Sequence, residues 1–352
     1  MWPFAKPIQS HLGVDLGTGG IKMVELLGEK GRGKLLTYSF TERLPESHAA
    51  QALETPKETA ELLKKMVAKA KVATRSVVAA LPASVVWSVV VNIPQVSDRE
   101  RKQLIELQAR KFIPVPLEEL SLDYKVIPPA EGVDKDKTSK TTQVLLTGAR
   151  KSLVQQYAAL FTQAGLTLSS LETESFALVR SLIGKDRATT MIVDIGAMVT
   201  SMLIVDAGVP IVSRNLDIGG AMLTKALAKQ TNTEVAVAER MKLDLGNGGV
   251  ESLPAVFNQV LSPLINELRY SINLFLKPQD SSPAKQIEKI ILTGGSALLP
   301  SFVDYIRHEL GIKTYIGDPW ARVMYPEDLR PTLDTIGPRF SVAIGLAMRD
   351  ID

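Results

Sequence analysis

Apolar residues along this chain of 352 residues recur with two periods, and the two periods alternate. Short runs rich in Val, Ile and Leu predict buried strands, whereas apolar residues three and four positions apart predict amphipathic helices. The predicted strands cover 11–17, 21–28, 34–41, 77–81, 166–171, three segments within 189–216, and 287–292. The predicted helices cover 56–71, 151–164, 174–183, 234–245, 250–276 and 339–348. This alternation indicates an α/β fold.

One stretch, residues 82–149, interrupts the alternation with a strand, a helix and two further strands, which predicts an inserted small α+β subdomain. Its helix starts with the capping-box pair Ser97 and Glu100. The chain is too long for one small hydrophobic core, and its length suits two lobes.

Composition narrows the classes of function. The formal net charge of +3 is too small to indicate a nucleic-acid-binding surface. The absence of cysteine fits a reducing compartment. No apolar run reaches the roughly 18 residues of a membrane span, and the first residues lack the apolar segment of a signal peptide. We therefore expect a cytoplasmic protein that binds no nucleic acid.

A glycine-containing turn between two apolar strands occurs twice, at 13–26 and at 192–204, each time with an aspartate two residues before a glycine. Asp15 and Gly17 form the first pair, and Asp194 and Gly196 the second. Facing each other across a cleft, such hairpins would hold a phosphate chain by their backbone N–H groups, with both carboxylates near a divalent cation. Either copy alone is more simply an ordinary β-hairpin with glycine in its turn.

Further residues near the turns fit the same interpretation. Gly17 and Gly19 allow close approach of a ligand to the backbone, Thr18 adds a hydroxyl donor, and Lys22 offers a compact positive charge for a phosphate oxygen. Asp15 and Asp194 would carry the charge that a hydrated Mg²⁺ needs.

A third glycine turn follows the predicted strand 287–292. Gly294, Gly295 and Ser296 lie between that strand and a helix expected to begin near Ser296 or Ala297, and such a turn lets a flat base lie close to the backbone. Taken alone, it is more simply a tight strand-to-helix connection.

The three turns in this order, with Thr200 four residues after Gly196, resemble the actin-like ATPase superfamily. The resemblance implies a two-lobed fold of duplicated ribonuclease-H-like lobes that binds ATP with Mg²⁺. It also suggests that Glu239 accepts hydrogen bonds from the ribose and that the Lys242 stem packs on the base. Without the resemblance, an exposed charged helix face is by far the simpler explanation of this pair. Glu174 resembles the carboxylate that orients the attacking water; a helix-start acid that complements the helix dipole is the alternative.

The segment from Leu81 to Tyr124, with its Ile-Pro-Val-Pro run at 113–116, closely resembles the PilM family of type IV pilus assembly proteins, and the similarity spans roughly residues 10 to 350. The resemblance implies a first lobe at 1–81 and 150–187, an inserted subdomain at 82–149 in an FtsA-like position, a second lobe at 188–218 and 286–352, and a helical subdomain at 219–285.

The same resemblance implies an ATP-binding protein on the cytoplasmic face of the inner membrane, attached through its partner. That partner is the N-terminal cytoplasmic peptide of PilN; other pilus components and self-association are also compatible with it. A groove for the peptide is expected where the inserted subdomain meets the first lobe, with Pro94, Pro114 and Pro116 along its edge. Each proline singly is explained as well by the end of a helix or the shape of a loop.

Two departures from active ATPases stand out. Ala197 and Met198 occupy the positions where most relatives have two glycines, and side chains there limit approach to a terminal phosphate. We therefore expect nucleotide binding with weak or absent hydrolysis. The alternatives are an FtsA-like filament-forming division protein and, less favoured, a small-molecule kinase of the same fold.

Overall fold

The computed structural model describes residues 10–29, 31–42, 53–113, 115–127, 141–247, 253–276 and 286–351. Its strands are β1 (Ser10–Gly17), β2 (Gly20–Glu29), β3 (Arg32–Phe40), β4 (Ser76–Leu81), β5 (Val86–Pro94), β6 (Leu120–Val126), β7 (Thr141–Arg150), β8 (Thr167–Thr173), β9 (Thr190–Ile195), β10 (Thr200–Asp206), β11 (Val209–Leu216), β12 (Lys289–Thr293), β13 (Thr314–Ile316) and β14 (Val323–Met324).

The helices are α1 (Pro56–Lys69), α2 (Asp98–Phe112), α3 (Lys151–Gln163), α4 (Glu174–Leu178), α5 (Gly220–Thr231), α6 (Val235–Asn247), α7 (Asn258–Leu276), α8 (Phe302–Leu310), α9 (Arg330–Ile336) and α10 (Ser341–Ala347). A π-helical turn at Val179–Ile183 extends α4. None of the helices in the described ranges combines the length and apolar composition that a membrane crossing requires.

Two large sheets share one construction. The first has the order β14-β3-β2-β1-β4-β8 and the second β11-β10-β9-β12-β13. In each, three consecutive strands form an antiparallel meander, and further strands join in parallel, β4 beside β1 and β12 beside β9. The repeated turn motifs therefore occupy corresponding positions, each at the first hairpin of its sheet.

The layers follow from which apolar faces are buried. Helices α1 and α3 pack on one face of the first sheet through residues such as Leu63 and Phe161. Helices α4 and α10 lie between the two sheets, where Ala177, Leu178 and Leu346 contact apolar residues of both. Helices α5, α7 and α8 cover the far face of the second sheet. The expected linking helix is thus the layer that joins the lobes.

A third sheet, β5-β7-β6, carries α2 on one face and accounts for the strand-helix-strand-strand pattern of the insertion. The predicted capping box is confirmed: the Ser97 hydroxyl accepts from Glu100 N, and the Glu100 carboxylate accepts from Ser97 N at 3.1 Å. Of the three groove prolines, Pro94 and Pro116 are exposed, and Pro114 lies outside the described residues.

Some predicted boundaries are wrong. No α-helix begins at Ser296 or Ala297: a single 3₁₀ turn spans Gly295–Leu298, and α8 begins only at Phe302. Pro300 explains the delay, because the residue before a proline is disfavoured in helical conformation, and Leu299 is extended with ψ 139°. The helix expected from 250 begins at Asn258, after a 3₁₀ turn that follows Pro254.

Candidate functional site

The two glycine hairpins face each other across a cleft between the lobes. The cleft has a volume of about 340 Å³ and is lined by the β1–β2 turn and the β9–β10 turn. The turns approach closely, since a β-carbon placed on Gly19 would lie 2.9 Å from the β-carbon of Ala197. A volume of this size lies within the range of small-molecule sites.

Three carboxyl groups and one ammonium group converge at the base of the cleft. Asp15 and Lys22 are direct partners in the β1–β2 ladder, and Lys22 Nζ lies 3.9 Å from Asp15 Oδ2. Asp194 ends the corresponding strand of the second lobe, and Glu174 begins α4. Glu174 Oε2 accepts a hydrogen bond from Ala83 N at 3.4 Å.

Burial disfavours the charged forms of all three carboxyl groups. Burial, followed by the charges of Asp15 and Asp194, raises the pKa of Glu174 to about 8. Burial and the charge of Asp15 raise the pKa of Asp194 to about 7, and burial raises that of Asp15. One lysine cannot neutralise three acids, so this donor set fits a divalent cation.

The cation would not be held by protein atoms alone. Within the described ranges, no three acidic or histidine side chains come close enough to coordinate one ion jointly. Mg²⁺ commonly keeps several waters and binds one or two carboxylates together with phosphate oxygens. Asp15 and Asp194 at the ends of two hairpins suit that mode.

The third glycine turn lies beside the second hairpin because β12 pairs with β9 and places Thr293 opposite Asp194. Gly294 has φ +84° and ψ 170°, and a β-carbon there would lie 2.4 Å from Ile195 O and 2.5 Å from Asp194 Oδ1. Glycine is therefore required at this position. The turn leaves backbone exposed along the cleft wall beside Asp194.

Glu239 and Lys242 lie one helical turn apart on α6 and both line the cleft. Lys242 Nζ donates to Glu239 Oε2 at 2.8 Å, to Thr224 Oγ1 at 2.7 Å and to Gly220 O at 3.1 Å. Burial lowers the pKa of Lys242. These contacts join α6 to α5 within the helical subdomain, a structural role that the sequence alone did not indicate.

Most of the predicted site residues line this cleft. They are Asp15, Gly17, Thr18, Gly19, Lys22, Glu174, Asp194, Gly196, Glu239, Lys242, Gly294, Gly295 and Ser296. Thr200 is the exception: it is fully buried away from the cleft, where its hydroxyl donates to Ile218 O at 2.6 Å. Its neighbour Ser201 faces the cleft instead, because successive strand residues point to opposite faces.

Several cleft residues carry no local sequence signal. Tyr157 comes from α3, Asn215 from β11, and Arg339 from the 3₁₀ turn before α10, where it forms an ion pair of 2.6 Å with Glu42. Burial, with the charges of Glu174 and Asp15, raises the pKa of Tyr157, so its hydroxyl remains a neutral donor at physiological pH. Only the folded arrangement brings these residues to the glycine turns.

Two duplicated sheets around a cleft with paired hairpins define the class of actin-like ATPase folds. A solved structure titled "PilM-PilN type IV pilus biogenesis complex" is similar at 26% identity, with 98% of this chain and 100% of that chain covered and a TM-score of 0.82. The ethanolamine utilization protein EutJ from Carboxydothermus hydrogenoformans has the same fold at 16% identity, with 97% and 90% covered and a TM-score of 0.54.

The family described as "Type IV pilus assembly protein PilM" matches residues 13–351. The chain therefore belongs to this family, and the predicted two-lobed fold is confirmed. The FtsA-like and kinase alternatives are not favoured.

Proposed function

We propose that the chain is a nucleotide-binding component of type IV pilus assembly that holds a Mg²⁺–ATP complex between its lobes and an N-terminal segment of PilN on its surface. The observation that carries the nucleotide part is the convergence of three glycine turns on the buried carboxyl groups of Asp15 and Asp194. The PilN part is supported by family membership and by the similarity to a PilM–PilN complex.

Each lobe would contribute one hairpin to the phosphates. Backbone N–H groups at Gly17 to Gly19 and at Gly196 to Val199 would bind phosphate oxygens from two sides, with Lys22 adding a positive charge. Asp15 and Asp194 would hold the hydrated cation, which neutralises phosphate charge when bound. Gly294 and Gly295 would form the floor under the base.

Hydrolysis is proposed to be slow or absent. Met198 keeps 39% of its surface exposed on the cleft wall, and Ala197 already faces Gly19, so side chains occupy the space that a terminal phosphate would approach. Glu174 is the carboxyl group that would orient the attacking water. Turnover near the enzyme median of about 10 per second, abolished by Asp15→Ala, would overturn this proposal.

Nucleotide binding is tested by thermal unfolding with and without Mg²⁺–ATP. A ligand at 100 times its Kd stabilises the folded state by about 2.7 kcal/mol. Asp194→Asn should lose the Mg²⁺-dependent part of the shift, whereas Asp304→Asn, in the exposed ion pair with Arg307, should retain it. No shift with the unaltered protein at millimolar Mg²⁺–ATP would refute nucleotide binding.

We propose further that the PilN segment binds where the inserted subdomain, residues 82–149, meets the first lobe, at the cytoplasmic face of the inner membrane. Pro94 and Pro116 lie exposed at the ends of segments flanking α2, and proline walls suit an extended peptide because they present no competing donors. The four-part division of the chain proposed from the sequence fits this assignment.

A synthetic PilN N-terminal peptide with a photo-crosslinking residue tests the location. We expect crosslinks to map to 82–149 and to the adjoining first lobe. Crosslinks confined to the nucleotide cleft or to the helices between 220 and 276 would place the partner site elsewhere. A scrambled peptide of equal composition is the control.

A further inference from the structure

The inserted subdomain contacts the second lobe as well as the first. Opposite α2, its sheet forms an apolar seam with the edge strand β11 and with α4. The seam consists of buried Ile127, Leu145 and Val209, with Val90, Phe176 and Ile211 packed against them. Lys125 Nζ also lies 5.0 Å from the ring centre of Phe176. The insertion is therefore held against an element that belongs to the other side of the cleft.

A row of polar side chains runs from the cation-binding end of the cleft to the start of this insertion. Asp194 on β9 pairs with Ser201 on β10, and Ser201 pairs with Asn215 on β11. Directly paired residues project from the same face of a sheet, and all three line the cleft. The row ends beside Ser84, in the 3₁₀ turn Ala83–Val85 that leads into β5.

Asn215 joins the second lobe to the insertion at the end of that row. Its amide orientation follows from its partners: Nδ2 donates to Ser201 Oγ at 2.9 Å and to Arg214 O at 3.2 Å, while Oδ1 accepts from Ser84 N at 2.7 Å. The neighbouring amide, Ala83 N, donates to Glu174. Two consecutive backbone N–H groups at the root of the insertion thus contact side chains of the nucleotide cleft.

We propose that Asn215 couples the occupancy of the cleft to the inserted subdomain, so that bound nucleotide alters the surface that receives the partner peptide. This inference rests on the proposed function. Phosphate and cation bound between the hairpins would draw Asp194 and its strand neighbours toward the first lobe, and the Asn215–Ser84 hydrogen bond would pass that displacement to β5. The apolar seam packs the insertion against β11, and the Asn215–Ser84 hydrogen bond adds a polar contact between β11 and the turn that leads into β5.

The coupling is tested by hydrogen–deuterium exchange of the whole chain at saturating Mg²⁺–ATP, with no peptide present. Asn215→Ala removes the acceptor for Ser84 N, and Asn273→Ala on the exposed face of α7 is the matched control. Exchange at the two hairpin turns reports occupancy, and exchange in β5 and β7 reports the insertion. Nucleotide should change exchange in β5 and β7 by about fivefold or more in the unaltered protein and in Asn273→Ala.

For Asn215→Ala, which alters a residue of the cleft lining, Mg²⁺–ATP is raised until the hairpins are protected as in the unaltered protein. At that equal occupancy, the change in β5 and β7 should fall below about twofold. Equal responses in Asn215→Ala and the unaltered protein would overturn the proposal. Unchanged exchange in β5 and β7 of the unaltered protein, when nucleotide protects the hairpins, would also overturn the proposal. That result would leave nucleotide binding intact. Hairpins that gain no protection would instead refute nucleotide binding itself and, with it, the coupling.

Discussion

Adding one methyl group at two adjacent glycines should have very different consequences. Gly294 has φ +84°, and its new β-carbon would lie 2.4 Å from Ile195 O, whereas the β-carbon of Gly295→Ala would lie 3.6 Å from the nearest heavy atom, in the Arg339 side chain. The first contact is with backbone and cannot relax cheaply. The second is an ordinary van der Waals distance to a flexible side chain.

The expected cost of Gly294→Ala has two parts. A backbone conformation reserved for glycine costs about 1–3 kcal/mol, and forcing a methyl group into occupied space costs about 1–3 kcal/mol more. We therefore expect Gly294→Ala to lower the free energy of unfolding by roughly 2–6 kcal/mol. Gly295→Ala should change it by less than about 1 kcal/mol.

Urea unfolding of both variants measures this difference, and Mg²⁺–ATP titration extends it to the site. Gly294→Ala should also weaken Mg²⁺-dependent binding, because its methyl group would displace Asp194 Oδ1, which is 2.5 Å away. Comparable stability of the two variants would refute the assigned backbone conformation. Equal loss of Mg²⁺–ATP binding in both would show that Asp194 is not the affected group.

Three further substitutions test the electrostatics. Burial raises the pKa of Glu174 from 4.5 to about 8, so its contribution to stability is complete below pH 4.5 and is lost as the pH rises toward 8. Between these values, the free energy of unfolding of Glu174→Gln should rise relative to that of the wild type by up to about 1.4 kcal/mol per pH unit. Unfolding experiments at pH 5 to 8 measure this difference. The two terminal nitrogens of Arg180 donate to the two carboxylate oxygens of Glu172 at 2.7 and 3.0 Å. Lysine cannot make this paired contact, so Arg180→Lys should lower the free energy of unfolding in urea by about 1–3 kcal/mol. Lys242→Met should cost about 2–4 kcal/mol by leaving Glu239 without its cation, and adding Glu239→Gln should recover part of that loss in a double-mutant cycle.

The glycine turns of the cleft were predictable from the sequence because each motif is local. An aspartate at a strand end and glycines in the next turn specify both a backbone shape and a chemistry within a few residues. Asp15 and Asp194 therefore lie where the pattern placed them, at corresponding positions of two sheets. The duplication could be inferred because the same pattern appears twice.

The remaining cleft residues were not predictable because they reach the site by tertiary contacts alone. Asn215 is separated from Ser84 by more than a third of the chain, and neither belongs to a recognisable motif. Thr200 was expected at the ligand from its spacing to Gly196, but strand alternation directs it into the core and exposes Ser201. Spacing along a sequence does not give the face of a strand unless the register is known.

The same distinction bears on what the nucleotide does. The local motifs favour binding, whereas the side chains of Ala197 and Met198 on the cleft wall disfavour turnover. A ligand that is bound and not rapidly hydrolysed can still change the conformation of the protein by holding the two hairpins together. It shifts the equilibrium between two arrangements of the lobes by the difference between its binding free energies for them. Asn215 links the insertion to that movement through its hydrogen bond with Ser84 N. With the partner surface on the insertion, as proposed, the polar row from Asp194 to Ser84 connects that surface to the nucleotide cleft. A change in cleft occupancy can then alter the partner surface directly.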